Sequence, residues 1–294
     1  MPTTTGTLFF NPSSGAKLPE EEQQALQAAC RDAGLEVIRL TKDIDCGQTI
    51  RERMSRGVRL FVAAGGDGTV SNVVQQLVNS DARLAVLPVG TYNHFARDLD
   101  IPLDWREALA VALEGNTRQI DAARVNERFF VNNLSLGLYP ELVALREAHG
   151  RDYPRWKARL YAAFATLKKY PHVTLAIETA HHQEVVRTHV FMVSNNPYEL
   201  SGIGIEAARS TLEEGRLAVY WLPKLSRLQL MKFTAHYLTG RVWSTPGFRS
   251  FRTAAMKVQS ARAVLKVGVD GEVLTLAVPL TITIVPQSLL VKVR

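Results

Sequence analysis

The stretch Arg59-Leu-Phe-Val-Ala-Ala-Gly-Gly-Asp-Gly-Thr-Val-Ser-Asn-Val-Val74 leaves the backbone few choices. An unbroken apolar run bounded by glycine reads as a strand buried on both faces. Gly65, Gly66 and Gly68 let the chain approach a ligand closely or take φ > 0. The spacing then predicts a helix from about Thr69. Its first N–H groups point back into the turn, which makes an anion site suited to phosphate. Asp67 stands in the middle of that turn. A carboxylate beside phosphates calls for a cation or a proton transfer between them. The turn therefore points to a nucleoside triphosphate, Mg2+ and phosphoryl transfer.

Glycines between a strand and a helix also serve plain tight turns. Two neighbouring loops weigh against that reading here. Asn11-Pro-Ser-Ser-Gly15 follows the opening apolar strand, and it supplies a turn (Asn11, Pro12), two hydroxyls (Ser13, Ser14) and a glycine for close approach (Gly15). Leu84-Ala-Val-Leu-Pro-Val-Gly-Thr-Tyr-Asn-His-Phe-Ala-Arg-Asp98 ends a strand at Pro88 and continues through Gly90, Thr91 and Asn93. All three loops follow the carboxyl ends of expected strands. In an open α/β sheet those ends share one edge, where ligands bind.

Strands are expected near 6–11, 35–41, 59–64 and 84–88, and helices near 19–33, 46–56, 69–79 and 104–114. That alternation predicts a doubly wound, mostly parallel α/β domain over residues 1–120. Beyond it, β-branched runs such as His172–Glu178, Val185–Val193, Arg216–Leu222, Ala263–Val269 and Leu280–Val285 lie close together. They predict an antiparallel β-rich domain over 121–285. Helical segments near 139–148, 154–169 and 224–239 interrupt it. Asp270-Gly271 between apolar runs is a hairpin signal.

Net charge is +7, and its placement is uneven. Seven Lys/Arg fall between Arg146 and Tyr170 against two acids, and seven more between Lys224 and Lys257 against none. Tyr153, Trp156, Tyr161, Trp243 and Phe248 are interleaved with them. Such segments suit an anionic membrane surface. No nucleic-acid motif accompanies them, so no nucleic-acid partner is expected. Cys30 and Cys46 have no metal-ligand spacing and read as reduced thiols of a cytoplasmic protein. No basic n-region with an apolar h-region opens the sequence, and no apolar run reaches the ~18 residues of a membrane span. The expected location is cytoplasmic, peripheral to the inner face of the membrane. An exposed sheet edge in the β-rich part could pair two chains into a homodimer.

Taken together, Asn11-Pro-Ser-Ser-Gly15, Gly65-Gly-Asp-Gly-Thr69 and Pro88-Val-Gly-Thr-Tyr-Asn-His-Phe-Ala-Arg97 resemble the diacylglycerol kinase catalytic-domain family. That family includes soluble bacterial lipid kinases and, more distantly, sphingosine and ceramide kinases. Gly-Gly-Asp-Gly-Thr alone also fits NAD kinases and phosphofructokinases. The order and spacing of all three loops select the lipid kinases. The resemblance implies an NAD kinase/phosphofructokinase-like N-terminal domain, a C-terminal β domain and a site in the cleft between them, with the tail 286–294 returning to the N-terminal domain. It implies ATP and Mg2+ as cofactors and a lipid acceptor. The nucleotide would be held by Asn11, Pro12, Ser13, Ser14, Gly15, Thr41, Gly65, Gly66, Asp67, Gly68, Thr69, Asn72, Gly90, Thr91 and Asn93. Nothing here is a Walker loop, so backbone N–H groups, hydroxyls and Mg2+ must carry the phosphates.

The resemblance also places a carboxylate of Asp270-Gly271-Glu272 at the acceptor hydroxyl, as Asp270 or Glu272. Asp67 is the third candidate, as base or as Mg2+ organiser. Asp121 matches a position near the active-site metal network. Glu214 matches a structural Mg2+ ligand, with backbone carbonyls of Thr211 and Arg216 beside it. One departure stands out: relatives often carry Asp where this chain has His94, and a neutral imidazole cannot supply the same charge. The expected activity is transfer of the γ-phosphoryl group of ATP to a lipid hydroxyl, diacylglycerol first. The alternatives are a soluble kinase of NAD kinase type and a nucleotide-dependent lipid-binding regulatory protein with little catalysis.

Overall fold

The computed structural model describes residues 5–14, 18–41, 43–138, 172–199, 206–207, 212–226, 228–229, 232 and 249–294. The first part runs β1 (Gly6–Phe10), α1 (Glu20–Asp32), β2 (Leu35–Arg39), α2 (Cys46–Ser55), β3 (Leu60–Gly65), α3 (Asp67–Leu77), β4 (Arg83–Pro88), α4 (His94–Asp98) and α5 (Trp105–Glu114). β1 pairs in parallel with β2 and β3, and β3 with β4. β1 and β3 are buried along their whole length, as a sheet covered by helices on both faces requires. Local chemistry sets the helix ends. Asp45 accepts from the N–H of Gln48 at the start of α2, and Asp104 from the N–H groups of Arg106 and Glu107 at the start of α5. Gly34, just past α1, takes φ 80°, the left-handed conformation that closes a helix.

The remainder is strand-rich: β5 (Asn116–Val125), β6 (Arg128–Phe130), β7 (Asn133–Gly137), β8 (Val173–Glu178), β9 (Gln183–Ser194), β10 (Tyr198–Glu199), β11 (Glu206–Ala207), β12 (Leu217–Pro223), β13 (Arg249–Thr253), β14 (Ala255–Gln259), β15 (Val264–Val269), β16 (Glu272–Ala277) and β17 (Leu280–Val293). Pairing among β7, β8, β9, β12, β14, β15 and β16 is antiparallel. The expected helices near 139–148 and 154–169, and most of 224–239, lie outside the described residues, as do most of the basic aromatic segments.

All the strands except β10 and β11 form one continuous sheet, with the order β16-β15-β7-β9-β8-β14-β17-β4-β3-β1-β2 along its main path. The expected boundary at residue 120 falls inside β5. β5 runs antiparallel to β17 along nearly its full length, from Ile282↔Val125 to Val293↔Asn116. The final residues of β17 also pair in parallel with β4, Leu290 opposite Arg83. Two large apolar cores form among the described residues, and these two strands serve both. Ile120, Leu289 and Val291 belong to the first, Val125, Leu280 and Ile282 to the second. The register shifts between Val285 and Leu289, where Gln287 takes φ 47°. The Asp121 carboxylate sits at that shift, accepting from the N–H groups of Gln287 (2.8 Å) and Gly215 (2.7 Å).

Candidate functional site

The loops ending β1, β3 and β4 pack directly on one another at the carboxyl edge of the parallel strands. Asn11 Nδ2 donates to Thr69 Oγ1 (3.1 Å), and the N–H of Ser13 donates to Asn11 Oδ1 (3.0 Å). The N–H of Gly66 donates to Ser14 Oγ (2.6 Å), joining the first loop to the second. A Cβ on Gly90 would stand 2.3 Å from the Cα of Gly66, and one on Gly65 would stand 2.3 Å from Thr69 Oγ1. Glycine at position 90 answers to contact between loops, and at position 65 to the first turn of the helix that follows it. A Cβ on Gly68 would meet nothing within 4 Å, so that face of the turn is open.

Asn93 closes the third loop. It takes φ 51°, which Asn tolerates better than most residues. Its Nδ2 donates to the carbonyls of Pro88 (3.1 Å) and Gly90 (3.0 Å), and its Oδ1 accepts from the N–H of Gly90 (3.0 Å). Helix α3 begins two residues earlier than expected, because Gly66 takes the extended cap conformation and Asp67 the first turn. An acid there is stabilised by the helix end. Asp67 Oδ1 accepts from the N–H of Phe95 (3.3 Å), which fastens the start of α4 to the glycine turn. Pro12, Ser13, Thr91 and Thr41 lie along the same edge with Ser13, Thr91 and Thr41 exposed, while Gly15 falls outside the described residues.

The β-rich part contributes the other wall. Asp270 and Gly271 take φ 47° and 86° at the hairpin between β15 and β16, the geometry of a type I′ turn. The Asp270 side chain is turned inward and only 5% of the residue is exposed. Oδ1 accepts from the N–H groups of Asn132 (2.8 Å) and Asn133 (3.1 Å), and Oδ2 from that of Val131 (3.0 Å). Burial pushes its carboxyl up to about 6 against the pull of those three N–H groups, and the negative charge of Asp67 pushes the same way. The two carboxylates therefore feel each other across the cleft. Glu272 differs: it is exposed and paired with Arg128 Nη2 (2.8 Å), which also reaches Asn72 Oδ1 (3.4 Å).

One further carboxylate belongs to this cleft and was not among the expected site residues. Asp98, one turn after His94 on α4, is pushed above the usual carboxylate range by burial and by Asp67, against a hydrogen bond from Asn196 Nδ2 (2.9 Å) and the influence of His94. The i, i+4 spacing of His94 and Asp98 was the available signal. His94 itself is exposed and stacked on Tyr92, with ring centroids 5.6 Å apart.

Asp121, expected near the active-site metal network, and Glu214, expected at a second metal site, have these surroundings. Both oxygens of Asp121 are occupied by backbone N–H groups, and Glu214 pairs with Arg252 Nη1 (2.6 Å). A guanidinium against that carboxylate competes with a cation. Thr211 lies outside the described residues, and Arg216 is exposed. Among the described residues no group of three or more His, Cys, Asp or Glu stands in metal-holding geometry. At the cleft, Asp67 takes one hydrogen bond and pairs with no basic side chain among the described residues, so it keeps lone pairs for a hydrated divalent cation on substrate phosphates.

Comparison with known proteins agrees with this construction. Residues 5–125 match the model of the diacylglycerol kinase catalytic domain. Residues 144–293 match that of the YegS C-terminal NAD kinase beta sandwich-like domain. A Pseudomonas aeruginosa protein named "Probable lipid kinase YegS-like" is 39% identical over 134 residues, 44% of each chain. A Staphylococcus aureus diacylglycerol kinase is 36% identical over 129 residues, 42% of this chain and 41% of that one. The matched stretch thus spans less than half of these relatives. A crystal structure of a diacylglycerol kinase from Bacillus anthracis strain Sterne superposes with a TM-score of 0.70 over 99% of this chain and 97% of that one, at 17% identity, which shows a shared fold.

Proposed function

This chain belongs to the diacylglycerol kinase catalytic-domain family with a YegS-type C-terminal domain, and on that premise we propose that it transfers the γ-phosphoryl group of ATP to the hydroxyl of a lipid, with Mg2+. The observation that carries the reading is the pairing of Asp270 with Asp67: a buried carboxyl held near pH 6 faces a phosphate-binding turn from the opposite wall. A general base works best when its pKa lies near the operating pH. Asp270 meets that condition, whereas Glu272 already neutralises Arg128. Arg128 holds Glu272 beside Asn72 as part of the wall.

The residues divide the work as follows. N–H groups of the glycine turn and the hydroxyls of Ser13, Ser14 and Thr69 surround the phosphates. Asp67 would hold the hydrated metal ion, which would neutralise charge developing on the transferred group. Asp270 receives the proton of the acceptor hydroxyl as its oxygen bonds to the γ-phosphorus. The bond from that phosphorus to the β,γ-bridging oxygen breaks, and ADP leaves. Alignment and charge stabilisation supply most of the acceleration. Among the described residues no helix is long and apolar enough to cross a membrane. The basic aromatic segments support a peripheral approach to an anionic bilayer from the cytoplasm.

Transfer of labelled γ-phosphate in mixed micelles tests the reading, with diacylglycerol, monoacylglycerol, ceramide, sphingosine and NAD as acceptors. A labelled lipid that disappears in Asp67→Asn and Asp270→Asn is the expected result. Labelling of NAD alone would assign a soluble kinase. ATP binding with no product would assign a regulatory binder.

A further inference from the structure

Beneath the cleft lies a set of buried oxygens that nothing among the described residues satisfies. Asn196 is 3% exposed, and its Nδ2 is committed to Asp98 Oδ2. The Oδ1 of the same amide has no partner, and the short amide group keeps it beside Asp98. Asn195 repeats the pattern: Nδ2 donates to the carbonyls of Asp121 (2.9 Å) and Val131 (3.3 Å), and Oδ1 is unpartnered. Asn132 Oδ1 is unpartnered as well. Asp98 carries no second hydrogen bond among the described residues. These oxygens only accept, except for a carboxyl that has taken up a proton. Leaving such groups buried and unpaired is costly, and native structures seldom do so without a ligand or ordered water.

The same residues are tied to the proposed base. The N–H of Asn196 donates to Ser194 Oγ (3.2 Å), Ser194 Oγ to the carbonyl of Asn132 (3.1 Å), and the N–H of Asn132 to Asp270 Oδ1 (2.8 Å). Three hydrogen bonds thus tie the Asn196 backbone to the carboxylate that would receive the acceptor hydroxyl.

We infer that the acceptor brings a second hydrogen-bond donor into the cleft, a hydroxyl or ammonium close to the hydroxyl that is phosphorylated, and that Asp98 and Asn196 receive it. This rests on the lipid kinase reading above. Diacylglycerol has one donor, the hydroxyl that reacts. A monoacylglycerol has a second hydroxyl, and a sphingoid base adds a hydroxyl and an ammonium. Asp98 would also favour a cationic donor, because no basic side chain among the described residues pairs with it.

The experiment compares kcat/KM for chain-matched monoacylglycerol, sphingosine and diacylglycerol in mixed micelles, using the wild type, Asp98→Asn and Asn196→Ala. The wild type should favour one of the two donor-rich acceptors over diacylglycerol by about tenfold or more, and both variants should pull that ratio towards one. Equal or better use of diacylglycerol by the wild type overturns the inference and leaves the kinase reading standing. Loss of all acceptors in equal proportion in the variants, at the same thermal midpoint, also overturns it. So does an Asp98→Asn variant that needs more Mg2+ yet keeps the wild-type ratio, since the carboxylate would then serve the metal. Absence of any labelled lipid with the wild type overturns both readings.

Discussion

The two walls of the cleft place a carboxylate by opposite means. The parallel wall holds Asp67 in the first turn of α3, half-buried, with one hydrogen bond and a helix end behind it. The antiparallel wall holds Asp270 in a tight hairpin turn, with three N–H groups on it and almost no exposure. Burial raises the second carboxyl to about 6, and Asp67 contributes to that shift. The strands behind them differ in the same sense. β3 is buried throughout, whereas β15, which leads into Asp270, alternates exposed and buried residues over its first four positions. A sheet covered on both faces offers function only its loop edge. A sheet open on one face can turn a hairpin residue into the interior.

The sharpest way to break this contrast is to remove each carboxyl. Asp270→Asn should lower phosphoryl transfer by about 10²–10⁴-fold, the usual contribution of a positioned base. A labelled-phosphate assay that finds less than a tenfold loss would move the role of base elsewhere. In the wild type, log kcat/KM should climb with pH and level off above about 6.

Stability should separate the two walls as well. Asp270 is raised above its unfolded value, so the native state holds a proton that the unfolded chain has released. Its contribution is fully present below about pH 4 and fades as pH rises through about 6, a change of roughly 3 kcal/mol. Urea unfolding from pH 4 to 7 should show that slope in the wild type, and a slope shallower by that amount in Asp270→Asn.

The parallel wall responds to volume instead. Gly90→Ala places a methyl group against the backbone of Gly66 and should cost about 1–3 kcal/mol. Its thermal midpoint should fall, and its affinity for a non-hydrolysable ATP analogue should fall with it. A variant that loses stability but keeps its affinity would show that the loop contact does not shape the nucleotide site. The smallest effect belongs to the exposed Glu214–Arg252 pair. Glu214→Gln should change stability by no more than about 1 kcal/mol with or without chelator. A larger, chelator-sensitive loss would restore a metal to that turn.

What the sequence disclosed follows the range of the interactions involved. β1 to β4 and the helices between them are written in local periodicity, and the glycine turns announce themselves by composition. The hairpin at Asp270-Gly271 was equally local. Its inward carboxylate was not, because the N–H groups that hold it belong to residues 131–133, far away in sequence. Helix α4, five residues long, is too short to show a period, and Asp98 stayed hidden with it. The return of the tail 286–294 to the first domain came from the family resemblance, and β17 does pair with β4 there. The register of β5 on β17 escaped because it joins residues as distant as Ile120 and Leu289. The early start of α3 at Asp67 reflects the cap geometry of Gly66, which composition leaves open.

The ribbon of β5 and β17 has a consequence for how the chain matures. β4 has only β3 beside it until residues 290 and 291 arrive, and β14 only β8 until 280–283 do. During synthesis the parallel half therefore waits, with a sheet edge bare, for the last described strand. Such late, distant pairing slows folding and leaves that edge open to wrong partners meanwhile. The two cores should then unfold as one cooperative unit, since neither can shed this strand and keep its sheet.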